Sequence, residues 1–184
     1  MMRRLRGTGV SSGIAIGRIH VLAAKHDEVQ RYVVKDADAE IARFRRAQDR
    51  ALQQLKQLRD KAAKDFGEGK AELFDTHQLM LRDPDYLESV EGLISSSKVN
   101  AEYAVHSTAE QFATMFRAMD SSYMQARASD VRDVSSRVID ILQAPAEADG
   151  QQEADAQPQG EPYILAAQDL DPVSYTHLRA HETL

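Results

Sequence analysis

The chain has 184 residues, 42% of them hydrophobic and 28% charged, with 29 acidic side chains against 23 basic ones and a net charge of −6. That size allows one domain with a real core, or a domain plus part of a second, and the acidity argues against a phosphate-backbone binder, whose affinity rests on concentrated Lys and Arg. Cysteine and tryptophan are absent, which excludes disulfide and thiolate chemistry and suits the cytosol. No run approaches the ~20 apolar residues that span a bilayer, and Arg3-Arg4-Leu5-Arg6 leads into Gly7 rather than an apolar stretch, so it does not read as a secretory signal.

Residues 7–22, GTGVSSGIAIGRIHVL, carry four glycines and then a β-branched alternation in which Ile14, Ile16, Ile19 and Val21 fit one or two short strands bounded by turns. A phosphate-loop reading fails because no Gly-Lys-Ser/Thr follows and a strand, not a helix, comes next. From Asp36 to about residue 143 the apolar period changes from two to 3.6. Asp36, Asp38 and Glu40 put negative charge at a helix start. Ile41, Phe44, Ala51, Leu52, Leu55, Leu58 and Ala62 then form one stripe, which Gly67 and Gly69 are expected to stop.

A second helix carries Leu73, Phe74, His77, Met80 and Leu81 on one face. Asp83-Pro84 reads as a cap with proline at the first helical position of a third, whose face is Leu87, Val90, Leu93 and Ile94. Asn100 is expected to cap a fourth helix bearing Ala104, Val105, Phe112, Met115, Phe116 and Met119. A fifth holds Val131, Val134, Val138, Ile141 and Leu142. Amphipathic helices with short connections are the pattern of an antiparallel bundle. Met80, Met115, Met119 and Met124 read as core filling. Arg127, Asp130, Arg132, Asp133 and Arg137 read as ion pairs on a helix surface.

Residues 144–162 hold Ala, Gln, Glu, Pro and Gly and no large apolar side chain, the composition of a flexible linker. Tyr163-Ile164-Leu165-Ala166-Ala167 then reads as one more strand. The expected architecture is α+β and mainly α. Residues 1–32 hold the first strand or strands of an α/β domain, 33–143 a helical bundle inserted into it, 144–162 the linker and 163–172 a returning strand. The α/β domain is incomplete within this chain, so the sequence reads as a fragment. Residues 173–184 depart abruptly and read as a non-native tail from a frameshift or a join. Within it His177 and His181 have a metal-ligand spacing but no carboxylate at a known position.

Three stretches carry a resemblance. Gly13-Ile14-Ala15-Ile16-Gly17, residues 66–84 (FGEGKAELFDTHQLMLRDP) and residues 123–137 (YMQARASDVRDVSSR) resemble enzyme I of the phosphoenolpyruvate-dependent sugar phosphotransferase system. Asn100-Ala101-Glu102 with Ala104-Val105 is a weaker fourth match, and the resemblance runs over about residues 7–172. It implies a helical domain that docks the phosphocarrier protein HPr, inserted into an α/β phosphohistidine domain, for phosphoryl transfer from histidine to histidine in sugar uptake. It further implies that phosphoenolpyruvate and Mg2+ are handled by a C-terminal barrel absent here, that the active-site histidine is absent too, and that the intact enzyme is a homodimer. Thr176-His177 lacks the glycines and small apolar residues of the family's active-site motif.

Carried over residue by residue, the docking face comprises Glu68, Lys70, Leu73, His77, Met80, Asp83, Asp85 and Arg127. Leu73 and Met80 form its apolar centre, ringed by charges that steer encounter with a basic partner surface, and Arg127 offers a fork for a carboxylate or a moving phosphoryl group. Gly69 and Tyr86 depart from the acidic and aliphatic residues of the family pattern. From the residues alone, His77 on an apolar stripe reads as a satisfied, semi-buried histidine; the resemblance shifts it towards the interface. The alternatives are a non-catalytic HPr-binding module and a nitrogen-regulatory or multidomain relative of enzyme I.

Overall fold

The computed structural model describes residues 16–22, 29–144 and 163–167. In chain order these form β1 (Arg18–Leu22), α1 (Ala37–Phe66), α2 (Glu68–Leu81), α3 (Pro84–Ser97), α4 (Ala101–Arg117), α5 (Ser122–Gln143) and β2 (Tyr163–Ala167). The linker and the tail lie outside the described residues, as do His177 and His181.

Two of the helices start on a side chain that caps them. Asp36 caps α1, its Oδ1 accepting from the Ala39 amide at 3.0 Å. Asp83 caps α3 by accepting from the amides of Asp85 at 3.0 Å and Tyr86 at 3.1 Å, with Pro84 in the first turn where its missing N–H costs nothing. Only one of the two glycines expected to stop α1 does so. Gly67 has φ 89°, a conformation that L residues rarely adopt, and it ends α1 and precedes α2. Gly69 lies inside α2. Asn100 stands at the start of α4 but makes no side-chain cap. Its Oδ1 accepts from the Tyr32 amide at 3.0 Å, and its Nδ2 donates to the Gln30 carbonyl at 3.1 Å and to Glu102 Oε2 at 2.9 Å. The side chain turns back to hold the segment before α1, beside an antiparallel bridge between Val33 and Val99.

The helices pack mainly as two hairpins, α1 with α2 and α4 with α5, which meet through α1 and α5, while α3 leans on α4 and α1. Phe44, Leu55, Phe74, Leu81, Val90, Ile94, Val105 and Val138 are fully buried between them, and each such side chain contributes about 1.5–3 kcal/mol. The stripe expected for α1 is buried or half-buried throughout, joined by Ala47 and Gln48. Gln48 donates to the Leu81 carbonyl at 2.6 Å and so holds the end of α2 against α1. Of the methionines expected to fill the core, Met80 packs against it, whereas Met115 is 47% exposed and Met119 and Met124 are only partly covered.

The surface ion pairs expected on α5 mostly bridge helices. Arg132 makes a two-point contact with Glu110 of α4, at 2.6 and 2.7 Å. Arg137 donates to Gln54 of α1 at 2.9 Å. A further cluster centres on Arg43. Its Nη1 donates to Glu40 at 2.8 Å, and its Nη2 donates to Glu102 at 2.5 Å and to the Leu142 carbonyl at 2.7 Å. Glu40 in turn accepts from the Ala101 amide at 2.7 Å. One guanidinium therefore ties the start of α1 to the start of α4 and the end of α5.

β1 and β2 pair in parallel register, Arg18 beside Tyr163 through Leu22 beside Ala167, with the helices between them in sequence. Ile19 and Val21 of β1 are 67% and 68% exposed, so this side of the pair is uncovered.

Candidate docking face on α2 and α5

Lys70, Leu73, His77 and Met80 follow one another at spacings that keep them on one side of α2, and they take different depths. Lys70 is exposed, its ammonium 5.2 Å from the Phe66 ring centre. Leu73 and Met80 are half-buried, and Met80 packs against the core. His77 is 2% exposed. It presents no open surface: its ring stands edge-on to Phe74 at 6.4 Å, and its Nε2 faces Asp130 Oδ1 across 3.9 Å. That gap is longer than a hydrogen bond, and Nε2 has no hydrogen-bond partner.

Charged residues mark the two ends of α2. At its start Glu68 accepts from Arg59 of α1 at 2.7 Å, and the same guanidinium reaches Asp75 at 3.5 Å. Coulombic attraction from Glu68 is the main reason Arg59 is held above its ordinary pKa. Beyond the end of α2, Asp83 is engaged in capping α3, and Asp85 is exposed. Tyr86, one of the departures from the family pattern, is turned inward. It is 2% exposed, edge-on to Phe112, and its hydroxyl shares a 2.8 Å hydrogen bond with Ser135. Burial pushes its pKa up to about 12 against that bond. It belongs to the core under α3, not to the outer face.

Arg127 approaches from α5. Its Nη1 donates to Asp130 Oδ2 at 2.8 Å, its Nη2 donates to the Tyr123 hydroxyl, and the guanidinium carbon sits 4.6 Å from the Tyr123 ring centre. The Tyr123 hydroxyl and then Asp130 hold Arg127 above its ordinary pKa against partial burial. Asp130 is held below the usual carboxylate range, first by the His77 imidazole and then by Arg127, with burial opposing both. The structure thus brings His77, Asp130 and Arg127 into one row across two helices, with Tyr123 covering its outer end. Glu68 and Lys70 lie at one end of α2, Asp83 and Asp85 at the other.

Asp130, read from sequence only as part of a surface ion pair, and Tyr123 and Arg59, not singled out there, are missing from the expected docking residues. The signal for the first two was available: they lie three residues after and four before Arg127, the spacings at which helix side chains meet. Arg59 pairs across two helices, which no local spacing shows. A recess beside it, lined by Arg59, Asp60, Ala63, Lys64 and Glu68, is open and charged, without the apolar lining of a small-molecule site. No helix among the described residues is long and apolar enough to cross a membrane.

Residues 6–127 match the family described as PEP-utilising enzyme, N-terminal. The chain is 40% identical over 141 residues to the phosphoenolpyruvate-protein phosphotransferase of Bacillus subtilis, covering 77% of this chain and 25% of that protein. It is likewise 40% identical over 142 residues to the enzyme of the same name from Listeria monocytogenes, again covering 77% and 25%. The chain thus spans about a quarter of the length of these curated relatives. Among solved structures, an Enzyme I structure determined by NMR superposes with a TM-score of 0.70 at 29% identity, covering 90% of this chain and 65% of that one. The N-terminal domain of Enzyme 1 - Nitrogen superposes at 0.65 and 24% identity, covering 91% and 66%, a likeness of fold alone. On the family match and these relatives together, the chain belongs to the PEP-utilising enzyme N-terminal family, that of the Enzyme I N-terminal domain.

Proposed function

We propose that the helical unit docks the phosphocarrier protein HPr for phosphoryl transfer between histidines in sugar uptake, as the N-terminal part of a cytoplasmic phosphoenolpyruvate-protein phosphotransferase. In this reading the bundle is an insertion in a phosphohistidine domain, and the parallel pairing of β1 with β2 supports it. The observation that carries the docking reading is the composition of the α2–α5 face. A half-buried apolar strip of Leu73 and Met80 lies between exposed charges, with an ordered guanidinium at its edge. Such a surface suits a transient contact: the charges speed and orient encounter, while the small apolar centre limits residence. Asp85 is exposed and available to a basic partner rim; Glu68 and Asp83 are exposed but already engaged with Arg59 and the α3 cap, and the cationic Lys70 suits an acidic group instead. His77 acts through Asp130 rather than by touching the partner.

The chemistry itself is assigned to the intact parent, with this chain alone inactive. Among the described residues no group of three carboxylate or imidazole side chains is gathered to hold a metal ion. The magnesium implied by the family is assigned, like the chemistry, to the intact parent.

Titration of the chain into 15N-labelled HPr tests the reading. Shifts are expected around the phosphorylatable histidine of HPr, weaker at high salt, with Leu73→Ala and Arg127→Ala each losing about tenfold in affinity, the scale of an interface hot spot. Unshifted HPr resonances at millimolar chain would sink it.

A further inference from the structure

We propose that Tyr123 and Asp130 are positioning residues for Arg127, forming a cradle that presents its guanidinium to the docking partner in one fixed orientation; this rests on the docking reading above. Tyr123, Arg127 and Asp130 are spaced four and three residues apart, so all three stand on one face of α5. Two residues hold the guanidinium: its carbon sits 4.6 Å from the Tyr123 ring centre with Nη2 donating to the Tyr123 hydroxyl, and Nη1 donates to Asp130. An arginine side chain has many rotamers to lose when it docks, and a pre-formed fork loses fewer.

The other oxygen of Asp130 faces the buried His77 Nε2 across 3.9 Å, a contact beyond hydrogen-bond length that sets the cradle beside α2. The cradle thereby registers Arg127 against Leu73 and Met80, the strip it flanks.

The free chain and the complex are read separately. In the free chain the Arg127 Nη–Hη resonances are expected to be shifted and protected from exchange, and to move to the exposed-arginine position in Asp130→Asn and in Tyr123→Leu, with the backbone amide spectrum unchanged. Asp130→Glu restores them. In the complex each substitution lowers affinity for HPr about 3- to 10-fold when Arg127 is present and less than 2-fold in an Arg127→Ala background. Unchanged Nη–Hη signals, or equal losses in both backgrounds, overturn the cradle while leaving docking intact. Tighter binding by Asp130→Asn also overturns it, since Asp130 would then only screen the charge. Failure of the unsubstituted chain to bind HPr removes the docking reading, and with it the role given to the cradle.

Discussion

Replacing Arg43 by methionine tests whether the cluster between α1, α4 and α5 holds the bundle. The change keeps most of the aliphatic stem and removes three hydrogen bonds, to Glu40, Glu102 and Leu142. Glu40 retains the Ala101 amide and Glu102 retains Asn100. The Glu102 carboxylate, only 8% exposed, loses its counter-charge. Stripping one partner from a buried pair costs about 3–5 kcal/mol. The Arg43 side chain is one-third exposed, so water reaches part of the gap, and about 2–3 kcal/mol is expected. At about 3 °C per kcal/mol for a domain of this size, Tm falls by about 6–9 °C.

Urea denaturation followed by circular dichroism at pH 7 measures the loss. Adding Glu102→Gln should return at least about 1 kcal/mol, because the stranded charge is gone. The deficit of Arg43→Met should also shrink as pH falls through the ordinary carboxylate range, where Glu102 without its partner takes up a proton. A loss below about 0.5 kcal/mol, or a double variant weaker than the single one, refutes the reasoning.

Acid should weaken the bundle as a whole. Glu110 is held below its ordinary pKa by Arg132, and Asp130 by His77 and Arg127. Burial raises Glu102, but Arg43 and Asn100 outweigh it and the net shift is downward. Groups with depressed folded pKa values contribute fully above the unfolded carboxylate range, about pH 4, and lose that contribution as pH falls through the lower folded values; urea midpoints at pH 7 and pH 3 read this. Gly67→Ala and Gly69→Ala should act oppositely. At Gly67 a Cβ meets no neighbour, yet φ 89° strains any L residue, so about 1–3 kcal/mol is lost. Gly69 is helical with open space at its Cβ, so alanine adds up to about 1 kcal/mol. Asp83→Ala removes the cap of α3 and should cost about 1 kcal/mol, read as a lower urea midpoint with unchanged slope.

Features governed by a residue's own neighbourhood were legible in the sequence. The Asp36 and Asp83 caps and the stripes of α1 and α2 need only local rules, and the helices they predict are present. Gly69 was misread because Gly-x-Gly does not say which glycine takes the positive φ. Asn100 was read as an ordinary cap because nothing local announces Gln30 and Tyr32 as its partners. Met115, Met119 and Met124 were placed inside because apolar spacing marks a face and not its depth. At the candidate docking face the α2 strip was visible as periodicity. The covering of Arg127 by Tyr123 was written in the spacing but obscured by reading that region as solvated ion pairs. The contact of His77 with Asp130 joins two helices, and only tertiary structure reveals it.

The bond from Arg43 to the Leu142 carbonyl has a bearing on the order of folding. β1 and β2 come from opposite ends of the described chain, and pairing such distant segments is entropically costly and slow. The helices form mostly from contacts between sequence neighbours, and once formed they hold the start of α1 and the end of α5 side by side. On this geometry the bundle is expected to align the two strands before they pair, and Arg43→Met should delay strand pairing even under conditions where every helix is still present.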